Sequence, residues 1–336
     1  MNTNKLEVDK FPKRDIPQEP KDSIRKAQQD SSTFSAISSW LKAARLRTLP
    51  LALASILTGS ALAWFDGTFN TNVFVLASIT AVFLQILSNL ANDYGDSVRG
   101  TDNINRVGPL RAVQSGKIST SQMRKGIIIT VILSLFTGIW LIVEGIRGLG
   151  THFYIIFGIL GVASIVAALK YTMGKKPYGY MGLGDISVFL FFGQAGVLGT
   201  YFLHTHRLTL GAAAMAVVLG LFSMGVLNLN NMRDIENDIS CGKMTLAGRI
   251  GLSRAKKYHA FLILLGLLGS VIYLAFNFTS VKQLILLLIF PKFIMDLTAI
   301  FKINENRNLD PFLRKLSIST FIFALLFGTG LILSLC

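Results

Sequence analysis

The sequence is short of charge, and most of its other features follow from that shortage. Only 15% of the 336 residues are Asp, Glu, Lys or Arg, whereas 51% are hydrophobic; a typical soluble domain has about 25% charged residues. Cysteine is scarce as well. Cys241 and Cys336 show no metal-ligand spacing, which excludes a disulfide framework and a cysteine-based zinc site. Such a chain is expected to have lipid as its main solvent.

Acidic residues are scarcer than basic ones. The 33 Lys and Arg against 18 Asp and Glu give a formal net charge of +15, a surplus that can indicate nucleic-acid binding. Here the basic residues lie between apolar runs, so we expect no nucleic-acid partner. They are better explained as topology signals and as contacts for an anionic ligand.

Nine apolar runs are long enough to cross a bilayer, whose hydrocarbon core of about 30 Å needs roughly 20 helical residues. They predict an all-α, polytopic membrane helix bundle of about nine transmembrane helices around a central cavity, with cap loops on its cytoplasmic side. Residues 1–38 are polar and mixed in charge and have no signal-peptide core, so we expect a disordered tail before one domain at 39–336. The runs are 49–65, 71–92, 126–144, 152–170, 184–203, 208–231, 258–277, 282–301 and 316–335.

The distribution of Lys and Arg predicts the orientation of these runs. If the N-terminal tail shares one side with the connections after runs two, four, six and eight, that side holds 29 of the 33 basic residues. Basic residues favour the cytoplasmic side of membrane proteins. We therefore expect a multi-pass protein of the cytoplasmic (inner) membrane whose N-terminus and long connections face the cytoplasm.

The first of two acidic motifs follows run two. Asn89, Asp93 and Asp96 are spaced i, i+4 and i+7, which places them on one face of a helix. Carboxylates crowded at the membrane end of a helix repel one another and lose hydration, so such a cluster persists where cations neutralise it. Oxygen-only ligands select hard ions such as Mg²⁺.

The second acidic motif follows run six on the same predicted side. Asn230, Asp234 and Asp238 recur at i, i+4 and i+8, again within one stripe of a helix. Solvated helix caps would explain one such motif, but two at the ends of separate runs indicate a functional pair. Basic residues in the same connections would complete a metal-bridged phosphate or diphosphate site. These are Arg99, Arg106, Arg111, Lys117, Lys170, Lys175, Lys176, Arg233, Lys243 and Arg249.

Over roughly residues 40–335, the sequence resembles the UbiA superfamily of intramembrane aromatic prenyltransferases. Asn92-Asp93-x-x-Asp96 matches the first signature of that superfamily, and Asp234-x-x-x-Asp238 matches the second. Both signatures stand where the superfamily has them, after the second and the sixth helix.

At one position the sequence departs from the first signature. Gly100 stands where the third aspartate usually falls, and Asp102 follows two residues later. This variant, the Arg-Leu-Arg-Thr-Leu-Pro stretch that starts at Arg45 and the Gly-Leu-Gly-Asp stretch that ends at Asp185 resemble one branch of the superfamily. That branch prenylates 1,4-dihydroxy-2-naphthoate in menaquinone synthesis.

The resemblance implies a transferase that works in membrane lipid. It would move a polyprenyl group from polyprenyl diphosphate to 1,4-dihydroxy-2-naphthoate with decarboxylation, giving demethylmenaquinone and diphosphate. Mg²⁺ would be the cofactor, and its implied ligands are Asn89, Asp93, Asp96, Asp234 and Asp238. The implied catalytic residues are Asp93, Asp96, Asp234, Asp238, Tyr171 and Asp185, and those that bind the diphosphate and the acceptor are Asn89, Asn92, Arg111, Lys176, Asn231, Arg233 and Lys243.

Two alternatives stay open. A related prenyltransferase would use another aromatic acceptor, such as 4-hydroxybenzoate. A secondary transporter also has many helices, half-repeats and buried polar groups, but it usually places these groups near mid-membrane. In this sequence they crowd one end of the helices, which favours an enzyme.

The remaining polar residues near the runs are expected to be structural. His204 and His206 should be solvated in a short outside turn. Tyr180 is expected to anchor the chain at the membrane interface. Lys292 and Asp296, at i and i+4 in run eight, should form a salt bridge.

Overall fold

The computed structural model describes residues 37–335, so the predicted tail at 1–38 lies outside the described residues apart from its last two, and Cys336 lies outside as well. The regular elements of the described part are helical, and nine of its helices are long and apolar enough to cross a membrane. We number them α1 to α9. They are α1 Ile37–Phe65, α2 Thr71–Val98, α3 Thr120–Gly145, α4 Thr151–Lys170, α5 Gly184–Thr205, α6 Leu210–Arg233, α7 Leu252–Asn277, α8 Val281–Phe301 and α9 Asn306–Ser334.

The nine helices match the nine predicted runs, but four begin well before the apolar pattern indicates: α1, which includes a segment before a break described below, and α3, α7 and α9. α3 begins at Thr120, α7 at Leu252 and α9 at Asn306. Their first turns carry polar and basic side chains, which extend a helix beyond the segment that hydropathy detects. At α3 a capping box starts the helix: Ser119 Oγ accepts from the Gln122 N–H, and the Gln122 side chain accepts from the Ser119 N–H.

Helix α1 is broken near its start. Residues 37–44 are helical, Arg45 then takes the left-handed conformation with φ 50° and ψ 60°, and a 3-10 turn over Leu46–Thr48 leads into the main helix. Positive φ is uncommon outside glycine. The break is therefore a specific local feature, and it lies opposite the first acidic motif on α2.

Helices α5 and α6 pack closely against each other. Helix α5 is π-helical over Phe189–Gly199, and a Cβ on Gly193 would lie only 2.5 Å from the Ala216 carbonyl oxygen of α6. Small residues let membrane helices approach in this way. Helix α1 packs against α2, α5 and α9, while α6 also packs against α7 and α9.

The largest apolar core cluster is formed mainly by residues of α1, α5, α6, α7, α8 and α9. Phe222 of α6 stacks on Phe293 of α8 with ring centroids 4.8 Å apart and meets Phe323 of α9 edge-on at 5.1 Å. By contrast, none of the most apolar window of α4 is buried, which leaves that helix facing lipid. Lys292 and Asp296 form the predicted ion pair on α8.

The acidic motifs lie at one end of the bundle, which we call the motif face. Short helices at Tyr178–Met181, Ile235–Ser240 and Leu246–Ile250 join the long helices there. Together with the loop between α2 and α3 they form a cap over the ends of α2 and α6. Cap loops were expected at this end, because both motifs run on into long polar connections.

Candidate functional site

The two acidic motifs meet beneath the cap. Asn237 Nδ2 donates a hydrogen bond to the Thr101 carbonyl oxygen at 2.8 Å, although the two residues are 136 positions apart. Lys243 Nζ lies 3.8 Å from Asp96 Oδ2 and 3.5 Å from Asp238 Oδ1, so one buried ammonium group joins both motifs. Burial opposes the charge on Lys243, but these two carboxylates raise its pKa above the ordinary value.

A third carboxylate, Asp102, belongs to the same cluster. The Nε atoms of Arg106 and Arg111 lie 3.2 and 3.1 Å from Asp102 Oδ1. Neither contact has hydrogen-bond geometry, so the attraction is purely electrostatic. Burial raises the pKa of Asp102 to about 6. Arg106 Nη2 also lies 3.7 Å from Asp234 Oδ2, a second link between the motifs.

The first motif stays on α2, which continues without interruption to Val98. Asn89, Asp93 and Asp96 are all buried on one face, the arrangement that their spacing predicts. Asp93 serves the cap directly, because Oδ2 accepts the Ala112 N–H at 3.0 Å and Oδ1 accepts the Val113 N–H at 3.3 Å. It thus ties the α2–α3 loop to the helix.

Asp96 is surrounded by donors. Its Oδ1 accepts a hydrogen bond from Tyr180 Oη at 2.8 Å, and its Oδ2 lies 3.1 Å from Arg111 Nη1. Tyr180 Oη also lies 2.6 Å from Thr101 Oγ1. The expectation that Tyr180 anchors the membrane interface is wrong, since the 3-10 helix Tyr178–Met181 turns its hydroxyl into the cluster.

The second motif is not one continuous helical stripe. Helix α6 ends at Arg233, Asp234 caps it with φ −97° and ψ 11°, and Asp238 lies on the following short helix. Burial would raise the pKa of Asp234, but hydrogen bonds from Arg233 lower it below the ordinary value. Arg233 also donates to Asn230 Oδ1 at 3.0 Å and pairs with Asp310 at the start of α9.

Several buried oxygens around these carboxylates have no hydrogen-bond donor among residues 37–335. Oxygen ligands of this kind suit Mg²⁺, which is commonly held by one or two carboxylates together with phosphate oxygens. In the same part of the chain no three acidic, His or Cys side chains converge closely enough to hold an ion alone. The residues therefore fit an ion that shares its ligands with a bound diphosphate. The oxygens without a hydrogen-bond donor are Asp102 Oδ1 and Oδ2, Asn231 Oδ1, Asn237 Oδ1 and Asp238 Oδ2, of which Asp102 Oδ1 is ion-paired with Arg106 and Arg111.

Asp238 is a carboxylate whose charged form a bound cation would stabilise. Its Oδ2 is one of these oxygens, and burial raises its pKa to about 6. A cavity of about 610 Å³ is lined by residues next to the motif, Arg233, Glu236 and Asn237, and by the α8–α9 connection. Asp234 and Asp238 themselves are buried and do not line it.

Arg45 is a site residue that sequence reasoning did not assign. Its buried Nη2 has no hydrogen-bond partner among the described residues, and its charge interacts with Asp93 and Asp102 and is repelled by Arg106 and Arg111. The other arginines of the cluster are engaged by carboxylates. Arg45 is thus a cation held beside the cluster with donor capacity to spare. Only the left-handed break directs it there, and the sequence carries no sign of that break.

Two predicted ligand-binding residues lie apart from the cluster. Lys176 is exposed and forms no ion pair with a described carboxylate. Asn92 turns towards the α4–α5 connection, where its Oδ1 accepts from Thr172 Oγ1 at 3.3 Å. Lys176 was predicted from the pattern of basic residues and Asn92 from the first signature, but neither side chain faces Asp96.

Tyr171 and Asp185 form a separate polar group beside the cluster. Asp185 is buried, and its Oδ1 accepts from Tyr258 Oη of α7 at 3.2 Å. Burial raises the pKa of Tyr171 well above the ordinary value, and the charges of Asp185, Asp96 and Asp238 raise it further. The Tyr171 hydroxyl therefore stays protonated.

The expectation of a solvated His204 at the opposite face is wrong. Its Nδ1 accepts the Asn70 N–H at 3.1 Å, its Nε2 lies 3.0 Å from Ser60 Oγ, and its ring stacks on Phe69. His206 is exposed, as expected, and its Nε2 lies 2.9 Å from the Gly145 carbonyl oxygen. His204 is thus a structural residue of the turn.

Fold and site together define a multi-pass membrane enzyme with facing carboxylate motifs at one membrane face. Residues 52–329 match the UbiA prenyltransferase family, and the chain belongs to that family. Among its relatives are proteins named 1,4-dihydroxy-2-naphthoate octaprenyltransferase. That of Escherichia coli (strain K12) is 43% identical over 90% of this chain and 97% of its own length, and that of Haemophilus influenzae is 42% identical over 88% and 96%.

Solved structures with the same fold are more distant in sequence. A UbiA homolog from Aeropyrum pernix K1 has a TM-score of 0.62 at 14% identity and covers 87% of this chain and 99% of its own. A UbiA homolog from Archaeoglobus fulgidus bound to GPP and Mg²⁺ has a TM-score of 0.58 at 17% identity, with coverage of 88% and 99%. They establish the fold.

Proposed function

We propose that this prenyltransferase moves a polyprenyl group from polyprenyl diphosphate to 1,4-dihydroxy-2-naphthoate, with loss of CO₂ and diphosphate. The central observation is that Asp96 and Asp238, from the two motifs, meet at Lys243. The names of the E. coli and H. influenzae relatives support the naphthoate acceptor, and the ligands of the A. fulgidus homolog support the prenyl diphosphate donor.

Mg²⁺ is the proposed cofactor, held by Asn89, Asp96 and Asp238 and by oxygens of the donor. When bound, it would neutralise the diphosphate and so make it a better leaving group. Asp234 would share in this site if Arg233 released it. Asp93, the remaining predicted ligand, would also fix the α2–α3 loop, because each of its oxygens accepts one backbone N–H group and keeps a second lone pair for the ion.

The cations of the cluster are proposed to bind the diphosphate. Arg111 and Lys243 are buried against Asp96, where the donor phosphates would take the place of the carboxylate as their partner. Arg45 and Arg106 extend this positive surface on the first-motif side. Charge that develops on the leaving oxygens as the allylic C–O bond breaks would be stabilised by these donors.

Tyr171 and Asp185 are proposed to contact the aromatic acceptor. Asp185 is a buried carboxylate within reach of a phenolic proton, and Tyr171 lies beside it. Loss of that proton makes the ring carbon more nucleophilic, so that it forms the new C–C bond to the allylic carbon. The surrounding helices exclude water, which would otherwise capture the allyl cation as an alcohol.

The motif face is proposed to look into the cytoplasm, in a bacterial inner membrane. The support is the charge asymmetry: 29 of the 33 Lys and Arg fall on that side if the α-helices alternate across the bilayer. Both the isoprenoid tail and the product can then remain in lipid while the diphosphate is released to water.

The test is an incubation of the purified protein in liposomes with Mg²⁺, labelled octaprenyl diphosphate and each candidate aromatic acid. We expect a prenylated product and ¹⁴CO₂ from carboxyl-labelled 1,4-dihydroxy-2-naphthoate, and loss of both with EDTA. Product formed only from 4-hydroxybenzoate would refute the acceptor assignment. Transport of label without any product would refute the transferase. In cells, deletion of the gene should remove menaquinones and leave ubiquinone unchanged.

A further inference from the structure

A hydrogen-bonded junction joins α1 to the first residue of the acidic motif. Asn89 Nδ2 donates to the Ala44 carbonyl oxygen at 2.9 Å and to Thr48 Oγ1 at 3.0 Å. Gln85, one turn earlier on α2, donates from Nε2 to the same Thr48 oxygen at 3.1 Å. Thr48 Oγ1 in turn donates to the Arg45 carbonyl oxygen at 2.9 Å. Two amides of α2 therefore converge on one hydroxyl of α1.

The hydrogen-bonding sites of the Thr48 hydroxyl are all occupied. A threonine hydroxyl has one donor and two acceptor sites, and here Arg45, Asn89 and Gln85 occupy all three. Both N–H groups of the Asn89 amide are also used, so its Oδ1 is the atom left to bind a ligand. Flipping the amide would set Oδ1 against the Ala44 carbonyl oxygen, and Thr48 could donate to it only by giving up its bond to the Arg45 carbonyl oxygen.

The break in α1 makes the junction possible. In a continuous helix the Thr48 N–H would bond to the Ala44 carbonyl oxygen, but here it bonds to the Arg45 carbonyl oxygen at 2.8 Å. The left-handed conformation of Arg45 thus frees the Ala44 oxygen for Asn89.

We propose that Thr48 is a positioning residue that fixes the Asn89 amide with its oxygen towards the metal-diphosphate site, with Gln85 as its support. The inference rests on the proposed function, since Asn89 is a ligand only there. Partners that orient a metal ligand typically change metal affinity by about 10–100-fold when they are removed. Thr48 touches neither substrate in this role and acts through Asn89.

The experiment measures Mg²⁺ binding apart from turnover. Purified variants are melted in detergent with a non-hydrolysable prenyl thiodiphosphate over a series of Mg²⁺ concentrations, and the midpoint of the thermal shift gives the Mg²⁺ requirement. Thr48→Val removes the hydroxyl at constant shape and should raise the midpoint by about 10-fold. Thr48→Ser keeps the hydroxyl and should restore the wild-type midpoint. Gln85→Met, which leaves Asn89 intact, should raise it by a smaller factor.

Thr58→Val is the matched control. Thr58 lies on the same helix, is fully buried, and its hydroxyl donates only to the Ala54 carbonyl oxygen of its own helix at 2.8 Å. Its Mg²⁺ midpoint should equal that of the wild type. A Thr48→Val protein with a wild-type midpoint would overturn the proposal, as would a Thr48→Ser protein as impaired as Thr48→Val. If the wild type itself shows no Mg²⁺-dependent shift, the proposed function fails and the ligand role of Asn89 fails with it.

Discussion

Replacing Lys243 with methionine is expected to destabilise the ligand-free protein by about 3 kcal/mol. Lys243 Nζ lies 3.8 Å from Asp96 and 3.5 Å from Asp238. At an effective dielectric constant of about 20, each contact represents about 4–5 kcal/mol of Coulomb energy, much of it offset by desolvation. Removing one partner of a buried ion pair usually costs about 3–5 kcal/mol. The lower figure applies because Arg111 still faces Asp96.

The free energy of unfolding can be measured by SDS titration in mixed micelles, in EDTA and again with Mg²⁺ and a prenyl thiodiphosphate. The deficit of Lys243→Met should be largest in EDTA and should shrink with Mg²⁺, because the metal replaces the missing positive charge. Lys176→Met is the control: the side chain is exposed and unpaired among the described carboxylates, so neither stability nor the KM for donor should change. That variant also decides whether Lys176 binds the diphosphate of the donor.

A Lys243→Met protein as stable as the wild type in EDTA would refute the reasoning, since the two carboxylates would then need no internal cation. A deficit that Mg²⁺ leaves unchanged would show that Lys243 acts by packing. A raised donor KM in Lys176→Met would place that lysine at the diphosphate, contrary to its position in the structure.

Three further predictions concern single residues. Asp238→Asn should lower kcat about 100-fold or more, because it removes a charged ligand, and should lower the melting temperature less than Lys243→Met does, because Lys243 keeps Asp96 as its partner; wild-type turnover would contradict this. Asp93→Ala should instead cost about 2 kcal/mol of stability by leaving two loop N–H groups unpaired, so an unchanged melting temperature would count against the loop-tethering role. Gly193→Ala should cost about 1–3 kcal/mol, because its Cβ would lie 2.5 Å from a carbonyl oxygen of α6. Gly199→Ala, with no atom within 4 Å of its Cβ, should be neutral in the same unfolding assay.

Periodicity predicted the first motif correctly because α2 is regular. Helical spacing alone puts Asn89, Asp93 and Asp96 on one face, and α2 continues through all three. The nine spans were also predictable, because every stretch that must cross lipid has to be apolar and helical. Sequence periodicity therefore predicted the features that depend on local helix geometry and on the lipid solvent, namely the first motif and the nine spans.

Roles that depend on distant partners were not predictable. The spacing of Asp93 predicts a metal ligand, but it gives no sign that the oxygens of Asp93 also accept two backbone N–H groups from the loop after α2. Tyr180 is an interfacial tyrosine by sequence, but a short helix carries its hydroxyl to Asp96. Arg45 reaches the site because its own backbone is left-handed. Glycine or asparagine would have indicated such a conformation in the sequence, but an arginine does not. Each of these outcomes is set by tertiary contacts between separate elements.

The internal ion pairs of the motif face have a consequence for how ligands enter. Arg111 and Lys243 already neutralise Asp96 before any donor arrives. In the proposed function, Asp96 would then exchange partners when a magnesium diphosphate binds: the carboxylate would hold the metal, and the guanidinium of Arg111 and the ammonium of Lys243 would be left to bind phosphate oxygens. The net charge of the buried region changes little during this swap, so the apo protein can keep its acids and bases under a lipid-walled cap without first collecting ions from solution.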